Sequence, residues 1–150
     1  MYKKLQQRKQ GGFTIIEVLI VLAIAGLIMV VVFLAVPNLQ RSQRNNARKS
    51  DANNMLQNLS EYVGNANGSL PSACSSLSAC SWITYKPAQL TTVSYAASIP
   101  STTPDKSTAD LISGAVCNGV TPTTTGATSR DYVIWYGIEG STGTVCTQGS

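Results

Sequence analysis

The stretch KKLQQRKQGGFTIIEVLIVLAIAGLIMVVVFLAV, Lys3–Val36, decides how the rest of the chain is read. It joins a basic head and a glycine pair to a long apolar run. One acid, Glu17, stands almost at the start of that run. From Val18 to Val36 there are 19 residues without a charge. As a helix they reach about 28 Å, close to one bilayer core. Phe13–Val36 therefore reads as a transmembrane helix. A cleaved secretory signal fits less well: its apolar region runs roughly 7–15 residues and is followed by a small-residue cleavage site. A carboxylate in hydrocarbon is costly, so Glu17 calls for a function.

Charge is unevenly placed. Four of the 11 basic residues, Lys3, Lys4, Arg8 and Lys9, precede Phe13, and no acid does. From Phe13 onward, seven basic residues face seven acids. No broad basic surface remains, and no specific nucleic-acid partner is implied. Lys and Arg flank the apolar run on both sides, with Arg41, Arg44, Arg48 and Lys49 following it, so charge bias alone does not orient it. The cysteines do. Cys74, Cys80, Cys117 and Cys146 all lie after the helix, an even number in a small segment, which places that part in an oxidising compartment outside the cytoplasm.

The helical pattern continues past the apolar run. Ala52, Met55, Leu56, Leu59, Tyr62 and Val63 recur at spacings of three and four. The basic residues between Arg41 and Lys49 read as a solvated face. One helix over Phe13–Val63 is expected, about 76 Å long, with Gly64 as its stop. Pro37 lies inside it and removes the donor for the Phe33 carbonyl, so a kink is expected there. Gly26 and the β-branched Val30–Val32 weaken the preceding stretch.

The 86 residues from Asn65 hold 14 Ser, 14 Thr and seven charges. This segment must stay soluble through hydroxyls and amides, and with so modest a core it needs staples. Asn65–Pro71 reads as a loop. Trp82–Tyr85 and Thr92–Ala96 are candidate short strands. Asp131–Ile138 is the best strand, and Gly140–Gly143 turns it into a returning strand at Thr144–Thr147. Ala109–Ala115 is ambiguous, and Thr121–Ser129 reads as a low-complexity loop.

Little points to catalysis. The chain has no His. Its acids are scattered, and Asp105 with Asp110 makes a weak metal pair. No phosphate-cradling glycine loop is present. No catalytic residue, metal or cofactor is assigned, and the chain reads as a non-enzyme. Asn67-Gly68-Ser69 and Asn58-Leu59-Ser60 match the glycosylation acceptor pattern; the first reads as a turn and the second falls on the helix.

Gly11-Gly12 followed by Phe13-Thr14-Ile15-Ile16-Glu17 and an apolar helix resembles the class III signal of type IV prepilins, of the type IVa kind. The resemblance implies that a prepilin peptidase cuts between Gly12 and Phe13 and methylates the new N-terminus at Phe13. Gly11, Gly12 and Phe13 are then the processing residues. Phe13 and Glu17 are the assembly residues, with the Glu17 carboxylate meeting the freed Phe13 amine of a neighbouring subunit. Gly26 falls on a position commonly occupied in the family. A helix-breaking proline is common there eight residues after that glycine, but here that place is Leu34 and the proline comes at Pro37. The melted segment of assembled pili is thus expected to be shifted or longer.

The implied fold is α+β: a long N-terminal helix, half transmembrane and half amphipathic, on a small antiparallel sheet with a disulfide-closed C-terminal hairpin. The expected organisation is a leader over 1–12, a filament-core helix over 13–37, an amphipathic helix over 38–64 and an extracytoplasmic head over 65–150. Of the three possible cysteine pairings, Cys74–Cys80 and Cys117–Cys146 is preferred. The implied function is a pilin that forms a helical homopolymer supporting adhesion and motility. The alternatives are a minor pilin or a pseudopilin of a type II secretion system. Prepilin peptidase, a platform protein and an assembly ATPase are the implied partners. The implied location is the inner membrane first and the cell surface afterwards.

Overall fold

A computed structural model of the chain describes residues 12–140 and 143–149. Gly11, the basic leader, and Ser141 and Thr142 of the C-terminal turn lie outside the described residues. The chain divides into two compact units, one ending at Leu39 and the other beginning at Gln40.

One helix, α1, spans Ile15–Asn65 and runs unbroken through Pro37. In the first unit its large apolar side chains from Ile15 to Leu39 are exposed among the described residues: Leu34 is 73% exposed and Phe33 72%. A helix apolar all round is stable in water only when something else covers it. This segment is long and apolar enough to cross a membrane.

In the second unit, α1 buries Ala52, Met55, Leu56 and Leu59, the face that the spacing marks out. The helix passes the expected stop at Gly64. Gly68 N–H bonds the Val63 carbonyl at 2.8 Å while Asn67 takes a positive φ of 55°. Asn67 is therefore the left-handed residue that ends the helix, as asparagine tolerates well. Asn67-Gly68-Ser69 is accordingly a capping turn.

Six strands follow: β1 Thr92–Ala96, β2 Thr108–Ser113, β3 Val116–Asn118, β4 Thr121–Thr123, β5 Tyr132–Gly137 and β6 Thr144–Gln148. The main sheet has the order β1-β2-β5-β6, and β3 and β4 form a separate hairpin. The β5–β6 hairpin is antiparallel, with Trp135 opposite Cys146.

The sheet is mixed, which corrects the expectation of an antiparallel one: β1 and β2 run parallel, with Tyr95 opposite Leu111. The cause is the linker 97–107, rich in Pro, Ser and Thr. It is too long for a tight hairpin and carries the chain back to start β2 beside the start of β1.

β5 is a central strand with every residue buried, which is why Asp131–Ile138 is dense in apolar residues instead of alternating. One face of the sheet, with Val93, Tyr95, Leu111, Ile134 and Tyr136, packs with Met55 and Leu59 of α1. On the other face Ile112, Ala115, Val133 and Trp135 form a second small core beside Cys117 and Cys146.

The cysteines pair as preferred from the sequence: Cys74 with Cys80, and Cys117 with Cys146. The second bond ties β3 to β6 across 29 residues of chain. Loop-closure entropy gives it about 3.5 kcal/mol, and about 2 kcal/mol for the shorter loop. Cys74 also exchanges two backbone hydrogen bonds with Tyr95, covering the free edge of β1.

Trp82–Tyr85 is not a strand. Two of its backbone donors go to the helix instead: Thr84 N–H and Tyr85 N–H both bond Asn58 Oδ1. Ala109–Ala115 resolves into β2 and the turn after it, and the first three residues of the expected Thr121–Ser129 loop form β4.

Candidate functional site

The helix N-terminus is built by four residues. Thr14 precedes the first helical residue, Ile15, and Glu17 is the third residue in. Glu17 Oε2 accepts the Thr14 backbone N–H at 2.9 Å and the Thr14 hydroxyl at 2.8 Å. The Glu17 N–H reaches back to Thr14 Oγ1 at 3.4 Å. This is a capping box, in which an N-cap hydroxyl and a third-position acid satisfy each other's backbone donors. Sequence reasoning missed Thr14, although Thr-x-x-Glu directly before an apolar run is the signature of this device. The carboxylate is thus held by its own helix end, with Oε1 outside that pair of bonds.

Phe13 is 88% exposed and makes no part of a core. Among the described residues, a methyl group placed on Gly12 meets no atom within 4 Å. No packing contact among them requires a glycine there. The same holds for Gly26, where an added methyl also meets nothing. Its cost of about 1 kcal/mol in a helix interior is not offset by any contact within the chain.

The second unit holds a polar cluster that the sequence did not disclose. Arg44 grips Glu139 with two bonds of 2.7 Å, from Nε and Nη2. Arg48 is buried and adds a third contact at 3.3 Å, while its Nε donates to the Lys106 carbonyl at 2.7 Å. Asn45 bonds the Glu139 backbone in both directions. Arg44 and Arg48 are therefore not the solvated face expected from helical spacing: they tie α1 to the C-terminal hairpin. The Arg44 hydrogen bonds, opposed by partial burial and aided by Arg48, lower the Glu139 pKa to about 2.

The contribution of Glu139 to stability is fully present above pH 4.5 and is lost as pH falls toward about 2. Thermal unfolding of the full chain in detergent is expected to show a falling midpoint across that window. Glu139→Gln is expected to flatten the fall and lower the midpoint at pH 7. An unchanged slope in the variant assigns the acid sensitivity to another carboxylate.

Asp51 is a buried acid, 1% exposed. Its carboxylate accepts the Tyr85 hydroxyl at 2.7 Å and the backbone N–H groups of Ala88, Gln89 and Leu90. Burial opposes its ionisation, but these bonds outweigh it and its pKa is lowered. Asp105 Oδ1 is occupied by Ser107 and Thr108, and Asp110 takes the Ser94 hydroxyl within the sheet. No group of three or more His, Cys, Asp or Glu able to hold a metal occurs among the described residues.

The prokaryotic N-terminal methylation motif matches residues 7–33, the class III signal peptide of type IV pilins. The match takes in part of the basic leader, the glycine pair, Phe13, Thr14, Glu17 and most of the apolar run. The chain thus carries the signal of a type IV pilin-like or pseudopilin precursor, which is a structural class of protein. Its apolar helix fits a membrane-anchored precursor. No curated protein and no solved structure matches the chain.

Proposed function

We propose that this chain is the precursor of a pilus subunit that polymerises after cleavage between Gly12 and Phe13. The reading is carried by one conjunction. The methylation motif overlaps the Ile15–Leu39 stretch of α1, whose large apolar side chains are exposed among the described residues. In this reading residues 1–12 are a leader removed by prepilin peptidase, which also methylates Phe13. Residues 13–37 rest in the inner membrane and then become filament core. Residues 38–64 carry a head over 65–150 that faces the outside. A platform protein and an assembly ATPase lift subunits into the filament, and burial of apolar side chains from Phe13 to Val36 supplies cohesion, at roughly 25 cal/mol per Å².

The open space around Gly12 sharpens the test. A Cβ at Gly12 meets no described residue, so the effect of Gly12→Val is read at the processing step. Uncleaved precursor is expected to accumulate in the membrane, with surface filaments lost. Mass spectrometry of the N-terminus and electron microscopy of the cells read both. Normal cleavage and normal filaments in Gly12→Val overturn the reading. Deletion that stops protein export while no surface filament exists in the parent strain assigns the chain to a secretion machine instead.

A further inference from the structure

An open cleft of about 1040 Å³ is bounded by Arg41, Arg44, Arg48, Lys106, Asp105 and Glu139. Its four cations face two acids. Glu139 is held by Arg44 and Arg48, and Asp105 Oδ1 is held by its own loop. Arg41 and Lys106 are exposed and pair with no acid among the described residues. The cleft therefore presents an unbalanced positive rim.

The acids of the second unit can be accounted for one by one. Asp51, Asp105, Asp110, Asp131 and Glu139 are each engaged by hydroxyls, backbone donors or arginines. Glu61 is the remaining one: it is exposed on α1 and makes no side-chain hydrogen bond or ion pair among the described residues.

Arg41 and Glu61 cannot meet within one copy. Arg41 lies 18 residues before the buried Leu59, about five turns, and so on the head-facing line of α1. Glu61 comes two residues after Leu59, about 200° round, on the opposite face. Along the axis the two are about 30 Å apart. Complementary groups on opposite faces, displaced along an axis, make a head-to-tail contact. Such a contact repeats without closing into a dimer.

We infer that Glu61 of one copy enters the Arg41–Lys106 rim of the cleft on the next, an ion pair that fixes the stagger between heads. The inference rests on the polymer reading above. A second copy suits the rim better than a polyanion does, because charges balance from Phe13 onward and no broad basic field surrounds the cleft.

The test is charge reversal in the full chain, in a host that assembles it. Arg41→Glu and Glu61→Arg are each expected to lower filament mass at least about tenfold, with processed subunit at its normal level. The double variant is expected to recover to within about threefold of the parent. Normal filaments from either single variant overturn the pairing while leaving the polymer reading intact. Loss in Arg41→Glu that the double variant does not repair assigns the rim to an outside anion and also overturns it. Absence of filaments from the unaltered chain overturns both.

Discussion

Glu17→Ala is expected to leave a membrane-inserted precursor and almost no filament, a loss of two orders of magnitude or more in surface pili. The reason combines two roles of one carboxylate. In the single subunit its Oε2 closes the end of α1 with Thr14. In the filament its charge is proposed to meet the freed amine of Phe13 on a neighbour. A carboxylate in an apolar bundle is tolerable only when paired and hydrogen-bonded, so a bundle built from wild-type helices is stable only in the register that supplies the amine. Two further variants separate the roles. Glu17→Gln keeps an oxygen for the cap and loses the charge, and it is expected to assemble as poorly as Glu17→Ala. Thr14→Val keeps the charge and removes the hydroxyl, at a cost of roughly 1 kcal/mol. It is expected to assemble at reduced yield. Wild-type piliation in Glu17→Gln would sink the charge-pairing idea, and immunoblots of membranes with counted filaments decide it.

Asp51→Ala carries the largest expected effect on the head. Its carboxylate gathers the Tyr85 hydroxyl and three successive N–H groups, Ala88, Gln89 and Leu90, onto one turn of α1. Removing it strands those donors, and Leu90 is fully buried. A buried charged acceptor of this kind is worth roughly 3–5 kcal/mol when truncated, a large share of the stability of a small domain. Asp51→Asn keeps one acceptor and is expected to lose about half as much. Chemical denaturation of the full chain in detergent measures both. An Asp51→Ala chain within 1 kcal/mol of the parent would mean that the 82–90 segment is held by its apolar side chains alone.

Both residues show where sequence reasoning reaches its limit. Periodicity marks Ala52, Met55, Leu56 and Leu59 as one face because burying apolar area is a property of each side chain by itself. Asp51 sits beside that face and is equally buried, but its warrant lies in partners 34 to 39 residues away. Arg48 is the same case: spacing alone cannot tell a solvated arginine from one whose guanidinium reaches a distant carbonyl. The strands divide likewise. β5 was legible because a central strand is apolar on both sides. The parallel pairing of β1 and β2 was not, since direction is set by the linker between them. At the N-terminus, Glu17 stood out as an acid in an apolar run, while Thr14 was hidden among ordinary residues although the spacing between them was readable.

The Cys117–Cys146 bond has a mechanical consequence. β6 is the last strand among the described residues and forms one edge of the main sheet. Under tension an edge strand fails by peeling, one hydrogen-bonded pair after another, starting from its free end. Here Cys146, within β6, is joined covalently to β3. Peeling stops at that cysteine, and load is passed through the sulfur bridge into the β3–β4 hairpin. In the proposed filament, a head bridged in this way keeps its edge strand seated under load.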